Sequence, residues 1–375
     1  MTARLGLLAG ERLSMIRVLL IGAGAVVGEH YRPPLRRLEK AKAIEVLGVV
    51  DPNESRGRQI AAKFKRARPY PDCEAAFRDA SYDLAIIASP PGFHAEHACA
   101  AFEHDCHVLC EKPMTTTVAD ADRMNAAATK ADRVLGVAYP RRFYSNFADV
   151  ARLVASGELG EELEFTYREG NTYGWQAATD AAFRRERAGG GALLDIGVHM
   201  LDLLAWIFGD PVVTRSFDDS LNNGVETNSL LELTFPRARG IMQVSWEYPL
   251  NNGLWIRGTL GEVKLDAGDL RTYSRKTTQG WSLIPSTTSW PTDLTPGGGK
   301  RVRPGNLRPC FDAELVAMLR CIRYGEAFPV TGVQAASVQV AIEQAYENAE
   351  PLDCSWLPPD EQAAARAKHW KAGRP

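Results

Sequence analysis

Ile16-Arg17-Val18-Leu19-Leu20-Ile21-Gly22-Ala23-Gly24-Ala25-Val26-Val27-Gly28 sets an apolar run directly against a glycine turn. The run ends abruptly at Gly22, as a strand buried in a parallel sheet does. Gly22 allows the tight turn. Gly24 lets the backbone approach a pyrophosphate at the N-terminus of the helix that follows, which is predicted to run to about Lys40. Gly22, Ala23, Gly24, Ala25 and Val26 are therefore candidate cofactor contacts. The spacing departs from G-x-G-x-x-G, because Gly28 stands one position late. Glycine turns also serve simply to start helices.

Further along, Ile44 to Val50 is a second apolar run, closed by Asp51-Pro52-Asn53. A carboxylate at a second strand end accepts hydrogen bonds from adenosine ribose hydroxyls and repels a 2′-phosphate. Asp51 thus predicts NAD over NADP, with Arg56 and Arg58 close enough to admit NADP. The alternative is that Asp51 only opens the Asp-Pro-Asn turn. Helical and strand patterns then alternate: Gly57 to Phe64, Leu84 to Ala88, His94 to His104, His107 to Cys110, Val118 to Lys130 and Arg133 to Tyr139. Such alternation predicts an α/β unit with a doubly wound parallel sheet over residues 15–140.

Ligands of such sheets bind beyond the carboxyl ends of the strands. Ser89 and Pro90 follow one strand and would flank the nicotinamide half of a dinucleotide. His94 either lines the same crevice or begins its helix. Glu111-Lys112-Pro113 follows the next strand, and Pro113 biases Lys112 towards extended backbone. Lys112 can project into the crevice and donate to a substrate oxygen, or be an ordinary surface lysine.

After about Pro140 the pattern changes. A helix over Asn146 to Ser156 precedes strand-like stretches at Leu163 to Arg168, Leu230 to Phe235, Ile241 to Tyr248, Leu254 to Thr259 and Glu262 to Leu265. This predicts an α+β unit over residues 141–357, with an antiparallel or mixed sheet covered on one face. Helices are expected at Phe311 to Tyr324 and Val333 to Asn348, and a mobile surface loop at Thr287 to Asn306. Residues 1–14 and 358–375 read as terminal extensions, with Met15 an alternative start.

The stretch Gly189 to Phe208 is apolar except at Asp195, His199 and Asp202. A helix apolar all round is buried, and spacings of four and three fall on one face. The three polar side chains are expected to form one stripe facing a cavity, with Asp195 and His199 as an acid/base pair. The alternative makes Asp195 a cap and His199 a core histidine. Tyr139, Tyr173, Trp175 and Arg185 are further candidate substrate contacts, since aromatic rings stack on sugar faces as well as in cores.

The composition narrows the function classes. The chain has 375 residues, 45% hydrophobic and 24% charged, with a net charge of -2. That size fits two domains, and the charge argues against nucleic acid as a partner. No apolar run approaches the roughly 20 residues that span a bilayer, so no membrane partner is expected. The 7 cysteines, without a C-x-x-C pair, read as reduced thiols of a cytoplasmic protein. Cys106-His107-Val108-Leu109-Cys110 reads as a strand rather than as metal ligands, and no metal is assigned.

Five segments in order resemble the Gfo/Idh/MocA oxidoreductases: the glycine turn, Val49-Val50-Asp51, Ile87-Ala88-Ser89-Pro90-Pro91 with His94, Val108 to Pro113, and Gly190 to His199. The resemblance implies a Rossmann domain followed by a domain with an open, mainly antiparallel sheet. It implies hydride transfer between NAD(P) and a carbinol or ketone of a sugar, inositol or related polyol. It also implies pairing through the second-domain sheet into a homodimer or homotetramer. By the same resemblance Lys112 orients the reacting oxygen, Asp195 holds substrate and tunes the site, and His199 donates and accepts the proton. Glu111 precedes that lysine at the cofactor edge. Arg142 and Arg184 stand at positions that touch cofactor or substrate. Phe183 occupies a place where tryptophan is usual. Asp105-Cys106 replaces a glycine, and aspartate tolerates a left-handed turn. Two rival readings remain: a glycosidase or lyase that uses transient oxidation by bound NAD, and a non-catalytic NAD-binding sensor.

Overall fold

The computed structural model describes residues 15–174, 183–221, 224–295, 299–303, 306–353 and 358–369. Among them β1 (Ile16–Ile21), β2 (Ile44–Val50), β3 (Arg68–Tyr70), β4 (Leu84–Ile87), β5 (His107–Glu111) and β6 (Leu135–Ala138) form one sheet. Its order is β3-β2-β1-β4-β5-β6, and every pair is parallel. The order reverses between β1 and β4, which is where a doubly wound sheet opens its ligand crevice. Apart from the short, exposed β3, these strands read as largely apolar runs because helices cover both faces.

The second unit carries β7 (Leu163–Gly170), β8 (Val212–Asp218), β9 (Asn228–Phe235), β10 (Ala238–Ser245), β11 (Gly253–Arg257), β12 (Glu262–Asp266), β13 (Thr272–Thr277) and β14 (Gly280–Pro285). A ribbon of β15 (Trp290–Pro291) and β16 (Arg301–Val302) follows, and then β17 (Ala349–Pro351). The large sheet runs β14-β13-β12-β11-β7-β10-β9-β8-β17. Only β10/β7 and β17/β8 pair in parallel, so it is mainly antiparallel. The helices Ser145–Ala155 and Val198–Phe208 bury one face.

Several boundaries differ from the sequence reading. Helix 57–64 is Glu54–Ala61, because the Asn53 side chain accepts from Arg56 N and caps it three residues early. Strands β8, β13 and β14 were not anticipated; they are mostly exposed and carry little alternation of apolar and polar residues. The stretch read as a surface loop holds the β15/β16 ribbon, with Trp290 packed edge-on against Phe143. Asp105, in place of a glycine, does take the left-handed conformation at φ 61.

The late helices Leu307–Tyr324 and Gly332–Glu347 return to the first unit. Phe311 stacks on His30 at 4.6 Å, Val137 N donates to Val330 O at 3.1 Å, and an Arg323 nitrogen donates to Ala43 O at 2.9 Å. Chain order and spatial grouping therefore part company after about residue 306. A terminal helix, Pro359–Ala367, leads to His369, which is buried with Nε2 2.7 Å from Asp218 Oδ1. Among the described residues no helix is long and apolar enough to cross a membrane.

Candidate active site

Gly22 sits at φ 100, and a Cβ there would lie 2.5 Å from Ala88 O. Only glycine lets the ends of β1 and β4 come this close. At Gly24 a Cβ would meet nothing within 4 Å. The backbone therefore faces open space where the helix begins, at Ala25. An open glycine at a helix N-terminus is a cradle that a dinucleotide pyrophosphate fits.

Asp51 braces this turn. Its Oδ2 accepts from Ala23 N at 2.9 Å, and its Oδ1 from Asn53 N at 2.8 Å and Arg56 at 3.2 Å. A carboxylate offers about four acceptor positions, so one remains for a ribose hydroxyl.

Beside the turn lies a cavity of about 490 Å³ between the two sheets. Val26, Ser89, Glu111 and Lys112 line it from the first unit. Arg141, Glu169, Tyr173, Asp195 and His199 line it from the second, and Leu307 and Phe311 from a late helix. Lys112, Asp195 and His199 thus line one cavity. Lys112 Nζ donates to Asp195 O at 2.8 Å and to Asp195 Oδ1 at 2.9 Å. Burial, then Arg141 and Lys112, hold the His199 imidazole well below its usual pKa, so it is neutral at pH 7. Its Nδ1 is buried and has no hydrogen-bond partner among the described residues. Behind it the Tyr139 ring stands edge-on at 5.8 Å. Burial raises the Glu111 pKa, and Lys112 opposes the rise.

The expected stripe of Asp195, His199 and Asp202 does not form. Leu193–Gly197 winds as a π turn before the α-helix Val198–Phe208. That turn ends before His199, and His199 and Asp202 part on the α-helix itself, where Asp202 meets Arg142. Asp195 and His199 face the cavity, while Asp202 is fully buried and forms a two-point ion pair with Arg142 at 2.8 and 2.9 Å. That pair occupies the fork of Arg142, which does not line the cavity, so Arg142 is corrected from a cofactor contact to a core ion pair.

Other candidates are also relocated. His94 is fully buried, with ring nitrogens 2.8 Å from Ser89 O and 3.0 Å from Pro113 O, tying two strand-end turns together from behind. Pro90 lies beside Ser89 and does not line the cavity. Tyr139 supports His199 rather than facing substrate space. Arg184 is exposed and bridges to Gly224. Arg185 lies over the Tyr346 ring at 3.9 Å, outside the cavity lining. Tyr173 does line it, packed on Trp246 at 4.8 Å. Trp175 lies outside the described residues.

Arg141 and Glu169 went unread in the sequence. They form a two-point ion pair at 2.5 and 2.8 Å on the cavity wall. Burial opposes the Arg141 charge, and Glu169 more than offsets it. Arg141 adjoins Arg142 in the chain, and nothing local distinguishes which of the two faces the core.

The model of an oxidoreductase family with an NAD-binding Rossmann fold matches residues 16–139. The model of the GFO/IDH/MocA C-terminal domain matches residues 147–264. The chain belongs to the Gfo/Idh/MocA oxidoreductases. Its first unit is the NAD-binding domain of that family. Among Gfo/Idh/MocA-type relatives, D-glucoside 3-dehydrogenase of Escherichia coli K12 is 34% identical over 204 residues, 53% of this chain and 56% of that protein. The match thus spans little more than half of that relative. The scyllo-inositol 2-dehydrogenase (NADP(+)) of Bacillus subtilis is 25% identical over 92% of this chain and 97% of its own. A levoglucosan dehydrogenase solved with NADH and levoglucosan shares the fold, with TM-score 0.75 and 18% identity over 89% of this chain and 98% of that chain.

Proposed function

We propose that this protein is a dehydrogenase that transfers hydride between NAD and a secondary alcohol or ketone of a sugar, inositol or related polyol. One observation carries the reading: Lys112, Asp195 and His199 face a single cavity bounded by Val26 of the dinucleotide turn. The bound nicotinamide supplies the hydride chemistry. The chain supplies placement and proton handling. Lys112, held by Asp195, donates to the reacting oxygen and stabilises negative charge there. His199, neutral and lining the same cavity, takes the hydroxyl proton in oxidation and returns it in reduction. Tyr173 and Trp246 offer aromatic faces to a ring substrate, and Asn171 and Thr172 offer hydrogen bonds.

The cradle of Gly22, Ala23, Gly24, Ala25 and Val26 holds the pyrophosphate, with Ser89 and Glu111 nearer the nicotinamide. Asp51 sets a preference for NAD, and Arg56, at its side, leaves NADP as a weaker ligand. The exposed face of the large sheet, with Ile241 and Leu283 at 40% and 67% exposure, is the pairing surface of a homodimer or homotetramer. The dinucleotide unit spans residues 15–140 and the substrate unit 141–357, and the enzyme works in the cytoplasm.

The test is NADH absorbance across a panel of sugars, cyclitols and their keto forms. Turnover of at least one, lost in Lys112→Ala and His199→Ala, is expected. Full turnover in both variants overturns the assigned roles.

A further inference from the structure

Glu226 lies in the loop before β9, fully buried and outside the cavity lining. Its Oε1 accepts from Gly191 N at 2.9 Å, Leu193 N at 3.0 Å and Tyr346 Oη–H at 2.9 Å. Its backbone oxygen accepts from Ala192 N at 3.0 Å. One residue therefore takes three consecutive amides at the start of the helical segment that carries Asp195 and His199. These amides belong to the first turn, where a helix leaves its N–H groups without internal partners. An anion there also complements the helix dipole.

The glycines ahead of the helix exist for this contact. A Cβ at Gly190 would lie 1.9 Å from the Tyr346 hydroxyl, and one at Gly191 would lie 2.0 Å from Glu226 O. Gly190 and Gly191 thus make a close approach between the helix start and its anchor.

We propose that Glu226 is a positioning residue of the reaction: by holding the amides of residues 191–193 it sets where Asp195 and His199 stand relative to Lys112. The proposal rests on the catalytic reading of those three residues. The groups facing Glu226 are Arg185, 3.7 Å from Oε2, the Tyr346 hydroxyl, and the Asp218 carboxylate, which is itself bonded to His369 and Ser220. Burial, and then Asp218, push the Glu226 pKa up to about 7. Its carboxylate form, the stronger acceptor, therefore grows in as pH rises through neutrality.

The experiment compares full-length wild type, Glu226→Gln, Glu226→Ala and His199→Ala. The readouts are kcat and KM between pH 6 and 8, NADH binding by fluorescence, and hydrogen exchange at Gly191 and Leu193. Misplacing a catalytic group by about 1 Å costs on the order of 10²-fold in rate. Glu226→Ala is expected to lose kcat on that scale, with NADH affinity within about twofold of wild type and fast exchange at both amides. Glu226→Gln keeps an acceptor without the charge. It is expected to sit at the low-pH limit of the wild-type kcat and to lose its rise with pH.

Wild-type kcat in Glu226→Ala, or NADH binding lost together with kcat, overturns the proposal. Should the alanine variant not fold, the glutamine variant decides: a pH profile identical to wild type overturns the proposal. His199→Ala separates the two layers. If it keeps full turnover, the catalytic reading fails, whereas protected amides at Gly191 and Leu193 in Glu226→Ala refute the anchor itself.

Discussion

The Lys112 ammonium is held by two oxygens of a single residue, the carbonyl of Asp195 at 2.8 Å and its carboxylate at 2.9 Å. One contact comes from the main chain of a π turn and the other from a side chain, so the geometry of that turn fixes the ammonium. Lys112 comes from the first sheet and Asp195 from the second unit, and the pair stitches the two together across the cavity.

On the proposed role of Lys112, breaking this pair removes or misplaces a donor at the reacting oxygen. A single such donor is worth about 10² to 10³ in kcat. Lys112→Ala and Asp195→Asn are each expected to fall in that range in steady-state NADH assays, with NADH affinity far less affected. Loss of under tenfold in both would contradict the assigned role.

His199 should not titrate in the usual histidine range. Burial, Arg141 and Lys112 all lower its pKa, so the neutral base persists to more acidic pH. The kcat/KM for oxidation is then expected to show no acid limb from this residue near pH 6.5. An acid limb at that pH, abolished in His199→Gln, counts against the electrostatic argument. Because the folded pKa is lowered, the stability contribution is full at neutral pH and declines as pH falls through the unfolded value.

The Arg142–Asp202 pair is wholly buried, with exposures of 2% and 0%. Removing one partner leaves an uncompensated charge, at a cost of about 3–5 kcal/mol. Denaturant unfolding of Arg142→Met or Asp202→Asn should show a loss of that size. The double variant Arg142→Met/Asp202→Leu should recover part of it. A cofactor-contacting Arg142 would instead weaken NADH binding without a large stability change.

Glycines of the dinucleotide turn should differ sharply. Gly22→Ala needs a strained φ of 100 and drives a Cβ to 2.5 Å from Ala88 O. That variant should lose NADH binding or soluble expression. At Gly28 a Cβ meets nothing within 4 Å. Gly28→Ala should bind NADH normally and gain about 0.5–1 kcal/mol of stability from helix propensity. Equal damage at both positions would refute the distinction.

Asp51 is expected to govern cofactor choice. Asp51→Ala removes the repulsion of a 2′-phosphate and the brace on Ala23 N together. Relative affinity should move towards NADPH while NADH binding weakens, as titration by fluorescence would show. An unchanged NADH/NADPH ratio excludes Asp51 as the discriminator.

The parallel sheet was legible in the chain because strands buried on both faces leave continuous apolar runs, and Val18 to Ile21 and Leu84 to Ile87 do so. The glycine turn, Asp51, Lys112, Asp195 and His199 were legible because each stands at a strand end or interrupts an apolar helix. Strands β8, β13 and β14, near the two ends of the large sheet, were not, since mostly exposed strands carry a weak period. Which arginine of Arg141-Arg142 faces the cavity was decided by its partner, Glu169 or Asp202, distant in sequence.

Local pattern, then, determined the parallel-sheet class of the first unit and the chemical types available at the site. Tertiary packing alone decided that Asp202 turns to the core, that Gly190 and Gly191 make room for Tyr346 and Glu226, and that a helix from residues 307–324 lines the cavity. The reason is physical: a period of hydrophobicity reports which face is buried. It does not report what buries it, and His199 and Asp202, three residues apart on one helix, meet different neighbours.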